Sequence, residues 1–295
     1  MTQSPEDYRL DRRAVRASFD RASATYDEAA VLQARVRAQL LERLDYVRLA
    51  PKTILDAGCG TGLAATPLLK RYPGSRLIAL DVAPGMLGVA RNRRHWWRRA
   101  SVVCADATAI PLADDSVDLI FSNLMLQWCN DPDEVFREFR RVLAPHGLIT
   151  FTTFGPDTLT ELRAAWRAVD DRVHVNRFID MHDIGDAMVR AGLAEPVMDV
   201  DHFCMTYPRV LDLMRDLKAI GAHNVTAGRG RGLTGRRRLD ALAAAYEPHR
   251  REGRLPATWE VVYGQAWGPA AQARAPTAAG EVSVPVNQIG RRSGA

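Results

Sequence analysis

The stretch Ile54-Leu55-Asp56-Ala57-Gly58-Cys59-Gly60-Thr61-Gly62 decides the fold of this chain. Its first half is a short apolar run typical of a buried strand, and its second half is a glycine-rich turn. Glycines allow the backbone to pass close beneath a ligand, and a helix that starts after such a turn offers N–H groups without partners. The stretch therefore predicts a strand, a ligand-binding turn and a helix in that order.

Short apolar runs and helical stretches alternate on both sides of this turn. The predicted core strands are Thr53–Ala57, Arg76–Asp81, Ser101–Cys104, Val117–Ser122 and Leu148–Thr153. Strands that alternate with helices form βαβ units, so the pattern predicts an α/β fold with a mostly parallel sheet and helices on both faces. The unbroken apolar character of several strands fits a sheet that is covered on both sides.

The flanking segments predict one domain over residues 1–269. Two more strands are predicted at Val197–Met205 and Glu260–Trp267, and the segment between them is far longer than an ordinary loop, so we expect it to be functional or a subdomain. Residues 270–295 are rich in Ala, Gly and Pro and predict a disordered tail. The predicted divisions are a helical cap over 10–50, a core over 51–206, a lid-like insertion over 207–258 and a last strand over 259–268.

Composition excludes several classes of protein. The chain has 295 residues with a net charge of +5, no Cys-x-x-Cys pair among its four cysteines, and no apolar run of the roughly 18 residues that a membrane span needs. A disulfide scaffold and a membrane protein are excluded, and we expect a cytoplasmic location. Arginines cluster in the stretches 91–99 and 229–238, where an acidic protein or a nucleic acid could dock.

Acidic residues end the second and third predicted strands. Asp81 there can accept hydrogen bonds from ribose hydroxyls, and Asp106 can meet an adenine amino group. The glycine spacing, Gly-x-Gly-x-Gly after Asp56, departs from the Gly-x-Gly-x-x-Gly pattern that cradles a pyrophosphate. The pattern favours a ligand with an adenine, a ribose and a charged amino acid end.

These residues resemble motif I of the class I S-adenosylmethionine-dependent methyltransferases. The resemblance implies a Rossmann-like sheet of seven strands with an antiparallel last strand, and S-adenosylmethionine as methyl donor. It implies cofactor contacts from Asp56, Gly58, Cys59, Gly60, Gly62, Asp81, Met86, Asp106, Ala107 and Asn123.

Segments outside motif I narrow the resemblance. They are similar to the malonyl-[acyl-carrier protein] O-methyltransferases, a family that opens pimeloyl synthesis for biotin. The segments are Phe19–Asp27, Ser122–Cys129, Asn176–Phe178, Leu217–Ala222 and Tyr263-Gly264, with Ala219 at a position where the family favours glycine.

The narrower resemblance implies methylation of the free carboxylate of a malonyl thioester. A carboxylate is already ionised at neutral pH, so no general base is required. We expect Arg177 to hold the carboxylate through paired hydrogen bonds and Tyr26 to reach the cofactor from the N-terminal helix. The acyl carrier protein is acidic, so we expect it to dock on the basic stretches 91–99 and 229–238.

Besides a cofactor-binding protein without catalysis, two other functions stay open. One is methylation of another small carboxylic acid or a quinone precursor, which keeps every motif I residue. The other is an RNA-binding methyltransferase, which the arginine clusters suggest but the lack of interleaved aromatic residues in 229–238 disfavours. We expect no metal, since His202 and Cys204 alternate on one strand with no third ligand nearby in the sequence.

Overall fold

A computed structural model describes residues 8–93, 100–222, 224–226 and 235–270 of the chain. Seven strands cross these residues. They are β1 (Thr53–Ala57), β2 (Arg76–Asp81), β3 (Ala100–Cys104), β4 (Val117–Asn123), β5 (Leu143–Phe154), β6 (Ala194–Tyr207) and β7 (Leu255–Trp267).

Ten α-helices surround the sheet within the described residues. They are α1 (Arg12–Ala22), α2 (Tyr26–Ala29), α3 (Val31–Arg43), α4 (Ala65–Arg71), α5 (Pro84–Arg93), α6 (Pro132–Val142), α7 (Thr160–Arg167), α8 (Met181–Arg190), α9 (Val210–Ala219) and α10 (Arg236–Tyr246). Helices α2 and α3 are separated at Ala30, whose ψ of 45° is not helical, and a 3₁₀ turn over Leu44–Tyr46 follows α3.

The sheet has the order β3-β2-β1-β4-β5-β7-β6, which confirms the predicted seven-stranded, mostly parallel, Rossmann-like sheet. Strands β1 to β5 run parallel to one another, and β7 is antiparallel to both β5 and β6. Because β1 pairs with β2 on one side and β4 on the other, its carboxyl end lies at the point where the strand order reverses. Open α/β sheets bind ligands at this point.

The last strand begins earlier than predicted. It starts at Leu255 rather than at residue 259, because its ladder with β6 extends to the pair Tyr207↔Leu255. Its ladder with β5 reaches only the pair Phe154↔Val261, so Pro256 lies where β7 is paired on one side. A proline without an N–H is tolerated at such a position, and the connection between β6 and β7 is correspondingly shorter than 207–258.

The core consists of apolar side chains on both faces of the sheet. On one face, α3 and α10 bury residues such as Val36, Leu40 and Leu242. On the other face, α6 and α8 bury residues that include Phe136 and Met188. This two-sided cover holds the carboxyl ends of β1, β2 and β4 in fixed positions.

The N-terminal helices pack on the connection between β6 and β7. The Asp11 carboxylate caps α1 by accepting the N–H groups of Arg13 and Ala14 at 3.0 and 3.2 Å. The Asp11 N–H donates to the Val225 carbonyl at 3.0 Å, and the Ser18 hydroxyl donates to the Gly221 carbonyl at 2.8 Å. The start of the chain and the β6–β7 connection therefore form one cover over the carboxyl edge of the sheet.

Candidate functional site

A cavity of about 830 Å³ lies at the carboxyl ends of the parallel strands. Seven of the ten residues predicted to bind the cofactor line it, and so does Tyr26. The seven are Gly58, Gly60, Asp81, Met86, Asp106, Ala107 and Asn123. Asp56, Cys59 and Gly62 belong to the same strand and turn but do not line the cavity.

The glycine turn forms the floor of this cavity. Gly58, Gly60 and Gly62 have φ of +74°, +53° and +79°, which side chains rarely tolerate. The N–H groups of Gly58 and Cys59 donate to the Leu80 carbonyl at 2.8 and 2.9 Å and tie the turn to the end of β2. A Cβ on Gly60 would meet no atom within 4 Å, so the backbone there is open to a ligand.

Asp81 connects the turn to the helix that follows β2. Its Oδ2 accepts the Gly60 N–H and its Oδ1 accepts the Ala83 N–H, both at 2.9 Å. Burial raises the pKa of Asp81, while these backbone donors oppose the rise. The carboxylate is thus fixed at the cavity wall with further lone pairs available to hydroxyl donors.

Asp56 is a buried acid below the turn. Its Oδ2 has no hydrogen-bond partner among the described residues, although its side chain is 2% exposed. Burial and the nearby Asp81 raise the pKa of Asp56 to about 7, while Arg37 lowers it. Burial in turn lowers the pKa of Arg37, which no sequence pattern distinguishes among 37 arginines. An unpartnered buried carboxylate oxygen beside the turn suits a ligand with a positive charge.

The N-terminal helices close the cavity from above. Tyr26 and Phe19 line it, with ring centroids 6.5 Å apart, and burial raises the pKa of Tyr26. Arg12 of α1 pairs with Asp106 at 2.9 Å and donates to the Thr108 hydroxyl at 2.6 Å. Sequence reasoning missed Arg12, because nothing local marks a residue whose partner is more than 90 positions away.

Residues after β4 complete the wall. The Asn123 side chain donates to the Gln33 carbonyl at 3.3 Å and accepts the Thr152 hydroxyl at 3.1 Å. Met125 packs so close to the turn that a Cβ on Gly58 would lie 2.3 Å from Met125 Cγ. Trp128 lines the cavity and packs edge-on against Phe19, with ring centroids 5.0 Å apart.

A second, largely apolar cavity of about 850 Å³ continues from Trp128, which lines both. Asn176 Oδ1 and Trp259 Nε1 are buried there without hydrogen-bond partners among the described residues. His174 also lines it, stacked on Trp166 with ring centroids 3.7 Å apart and 2.7 Å from Asp170 Oδ1. We call this the inner cavity. It offers apolar walls with a few unpartnered polar atoms, which is the usual composition of a small-molecule site.

Arg177 lies in a third cavity, of about 710 Å³, which we call the outer cavity. The inner and outer cavities share Trp166, His174, Val175 and Asn176. The inner cavity therefore separates Arg177 from Tyr26, whereas both chain neighbours of Arg177, Asn176 and Phe178, line the inner cavity.

The two basic stretches are described in part. Arg93 pairs with Asp27 and Arg238 pairs with Asp170, so both have partners within the chain. Arg91, Arg236 and Arg237 are exposed. Residues 94–99, which include Trp96 and Trp97, and residues 229–234 lie outside the described residues, as does the predicted tail from residue 271 onward.

His202 has two carboxylates near it that the sequence did not indicate. Asp157, His202 and Glu260 each bring one ligand atom to within 4.8 Å of the others. Glu260 Oε2 already accepts the Asp157 N–H at 2.6 Å, so this carboxylate holds the turn after β5. Separately, none of the helices in the described part of the chain is long and apolar enough to cross a membrane.

Comparison with known proteins shows which families this chain resembles. The family described as Methyltransferase domain matches residues 55–151, which include the glycine turn and Asp81. A malonyl-[acyl-carrier protein] O-methyltransferase of Methylovorus sp. (strain MP688) is 56% identical over 91% of this chain and 93% of the relative. The protein of that name from Laribacter hongkongensis (strain HLHK9) is 55% identical over the same shares of the two chains.

Solved structures show the same fold. The YcgJ protein of Bacillus subtilis has a TM-score of 0.58 at 16% identity, and the match covers 80% of this chain and 99% of that one. A Haemonchus contortus phosphoethanolamine N-methyltransferase, solved with S-adenosylhomocysteine, has a TM-score of 0.52 at 18% identity, covering 85% of this chain and 57% of that one.

Proposed function

Because this chain belongs to the family of malonyl-[acyl-carrier protein] O-methyltransferases, we propose that it methylates the free carboxylate of a malonyl thioester. The single observation that supports this function is the junction at Trp128, where the cavity with the glycine turn and Asp81 meets the inner cavity. One cavity suits the methyl donor and the next suits an acyl group. The product is a methyl ester, which removes the charge of the terminal carboxylate.

The methyl donor proposed is S-adenosylmethionine, which supplies a reactive sulfonium methyl group when it is bound. The residues present fit it, since Gly60 leaves open space beside the ligand and Asp56 Oδ2 is an unpartnered buried acceptor. Asp81 would accept the ribose hydroxyls, and Asp106 would accept the adenine amino group. Asp56 would offset the charge of the amino acid end through the turn.

The protein's contribution is positioning and exclusion of water. A malonyl carboxylate is ionised near neutral pH, so no side chain has to remove a proton. Tyr26 and Phe19 cover the reacting region, and Trp128 lies where the two cavities meet. We propose that α1, α2 and the β6–β7 connection act together as a lid over both cavities.

Arg177 remains our proposed carboxylate-binding residue. Its neighbour Asn176 reaches the inner cavity, so a change of side-chain conformation could bring the guanidinium to the same place. Arginine suits this role because it holds a carboxylate through two parallel charge-assisted hydrogen bonds.

The acyl carrier protein is the proposed partner. It is acidic, and the exposed Arg91, Arg236 and Arg237 present positive charge for its approach. A docking role of the basic stretches predicts that carrier-bound malonate reacts faster than the coenzyme A thioester at low salt, and that the advantage shrinks as salt rises.

The test is transfer of a labelled methyl group from S-adenosylmethionine to malonyl-acyl carrier protein, with malonyl-coenzyme A and free malonate alongside. We expect base-labile ester label on the malonyl group, lost in Asp81→Asn and kept in Asp183→Asn, an exposed acid outside the cavities. Cofactor binding without label on any malonyl thioester would refute the substrate, and other small acids and quinone precursors would then be assayed.

A further inference from the structure

The outer cavity is strongly basic. Four of its described lining residues are arginines, namely Arg163, Arg167, Arg172 and Arg177, and none of its described lining residues is acidic. Among the described residues, no carboxylate forms an ion pair with Arg167, Arg172 or Arg177. Four positive charges without a paired acid make a site that favours an anion.

Arg163 is a half-buried member of this group whose guanidinium is held in place. Its Nη2 donates to the Pro156 carbonyl at 2.7 Å and to the Thr158 carbonyl, which holds the guanidinium in place. Its Nε is buried and has no partner among the described residues. Burial and the neighbouring Arg167 lower the pKa of Arg163, so an anion in the cavity would relieve an unfavourable arrangement.

The outer cavity adjoins the inner one. Asn176 lines both, and its Oδ1 is buried and unpartnered at their junction. Farther in, Trp259 Nε1 is a buried donor that also lacks a partner. A ligand that fits this path has an anionic end, an arm with amide donors and acceptors, and an acyl end directed toward Trp128.

We propose that the outer cavity binds the phosphate of a 4′-phosphopantetheine arm, through Arg163, Arg167 and Arg172, while the arm crosses Asn176 into the inner cavity. The inference rests on the proposed function, since it places the thioester arm of that substrate. Both a carrier protein and coenzyme A carry this phosphate, so the site recognises the chemistry that the two share. Arg177 lines the same cavity and is left out of the test because it has a separate proposed role.

The first experiment measures binding without catalysis. Calorimetry compares 4′-phosphopantetheine with pantetheine on the full chain, and we expect the phosphorylated compound to bind at least about tenfold more tightly. Arg167→Ala and Arg172→Ala each reduce that ratio toward one, whereas Arg76→Ala, an exposed arginine at the start of β2, leaves it unchanged. Equal affinity for the two compounds would overturn the proposal, whether or not methyl transfer to malonyl thioesters is detected.

The second experiment separates the sources of the phosphate. Methyl transfer is compared for malonyl-4′-phosphopantetheine, malonyl-coenzyme A and malonyl-acyl carrier protein, with malonyl-pantetheine as the substrate without phosphate. In the Arg167→Ala and Arg172→Ala variants, kcat/KM should fall for all three phosphorylated substrates relative to malonyl-pantetheine. If kcat/KM fell only for malonyl-acyl carrier protein, these arginines would instead contact the surface of the carrier protein. That result would overturn the phosphate site. If no malonyl thioester is methylated but phosphate-dependent binding persists, the proposed function fails and the phosphate site stands.

Discussion

Arg12 and Asp106 form an ion pair of 2.9 Å that joins the first helix of the chain to the loop after β3, at the wall of the glycine-turn cavity. The same arginine donates to the Thr108 hydroxyl, and Thr108 donates to Asp106 Oδ1. The acid proposed to hold the adenine is therefore held in turn by the helix that covers the cavity. Arg12 thus links the cover to the cofactor site.

This pair predicts that Arg12→Ala loosens the cover without unfolding the protein. The ion pair is partly exposed, so its loss should change the free energy of unfolding by less than about 1 kcal/mol. Release of S-adenosylmethionine should become several-fold faster, as measured by stopped-flow fluorescence. Arg16→Ala in the same helix is the control, because Arg16 does not line the cavity. Equal release rates for the two variants would show that Arg12 does not hold the cover.

Asp81→Asn tests the acid at the end of β2. The amide keeps one acceptor oxygen, so it cannot satisfy both the Gly60 and Ala83 N–H groups and the ribose hydroxyls as well. We expect S-adenosylmethionine to bind at least about 100-fold more weakly, which corresponds to the loss of hydrogen bonds to a charged group. Calorimetric titration measures the change in affinity. Wild-type affinity in this variant would show that Asp81 does not bind the cofactor.

Replacing Gly58 or Gly60 with alanine should have different consequences, mainly for stability at Gly58 and mainly for cofactor affinity at Gly60. Gly58→Ala places a Cβ 2.3 Å from Met125 Cγ at a φ of +74°, so it should lower the free energy of unfolding by roughly 2–4 kcal/mol. Gly60→Ala meets no atom within 4 Å and should cost only about 1–2 kcal/mol, while its methyl group reduces cofactor affinity more than stability. Urea denaturation and cofactor titration of both variants make the comparison. A larger loss of stability in Gly60→Ala than in Gly58→Ala would contradict it.

The raised pKa of Asp56 predicts a pH-dependent stability. Its pKa rises from an ordinary 3.8 in the unfolded chain to about 7 in the folded one, so the folded protein binds the extra proton. Stability is therefore lost as pH rises from about 4 to about 7, and the cost of the buried charge is complete above that range. Asp56→Asn should stabilise the ligand-free protein by roughly 2–4 kcal/mol at pH 8 and by much less at pH 5.

Thermal unfolding of the two proteins across this pH range measures the effect. The control is Asp183→Asn, which changes an exposed acid and should show no such trend. S-adenosylmethionine should bind the wild type more tightly at pH 8 than at pH 6, because a positive ligand favours the ionised acid. A constant difference in stability between wild type and Asp56→Asn would assign Asp56 an ordinary pKa.

The sequence alone predicts those residues of the site whose positions depend on local patterns. Asp81 and Gly60 meet because each ends or follows a strand, and parallel neighbouring strands bring such ends together. Arg12 and Trp128 could not be assigned in this way, since tertiary packing of a helix cover places them. The start of β7 was also misplaced, because the ladder with β6 outlasts the apolar pattern and includes Pro256.

Arg177 shows a different limit of sequence reasoning. A short family-like segment selects it, yet its place in the outer cavity depends on how the chain between α7 and α8 folds. Among 37 arginines, residue type alone cannot separate a carboxylate ligand from a phosphate ligand. The chemistry of the substrate can separate them.

Arg177→Ala is therefore best assayed with malonyl-pantetheine, which carries the carboxylate but no phosphate. If Arg177 holds the carboxylate, methyl transfer to this substrate should fall at least about 100-fold, because an unheld carboxylate rarely reaches the attacking position. Arg172→Ala is the matched control from the same cavity, and its effect should be confined to phosphorylated substrates. If Arg177→Ala instead slows only the phosphorylated substrates, Arg177 belongs with Arg167 and Arg172. The carboxylate would then be oriented by groups of the inner cavity itself, of which His174, fixed between Trp166 and Asp170, is the first to substitute.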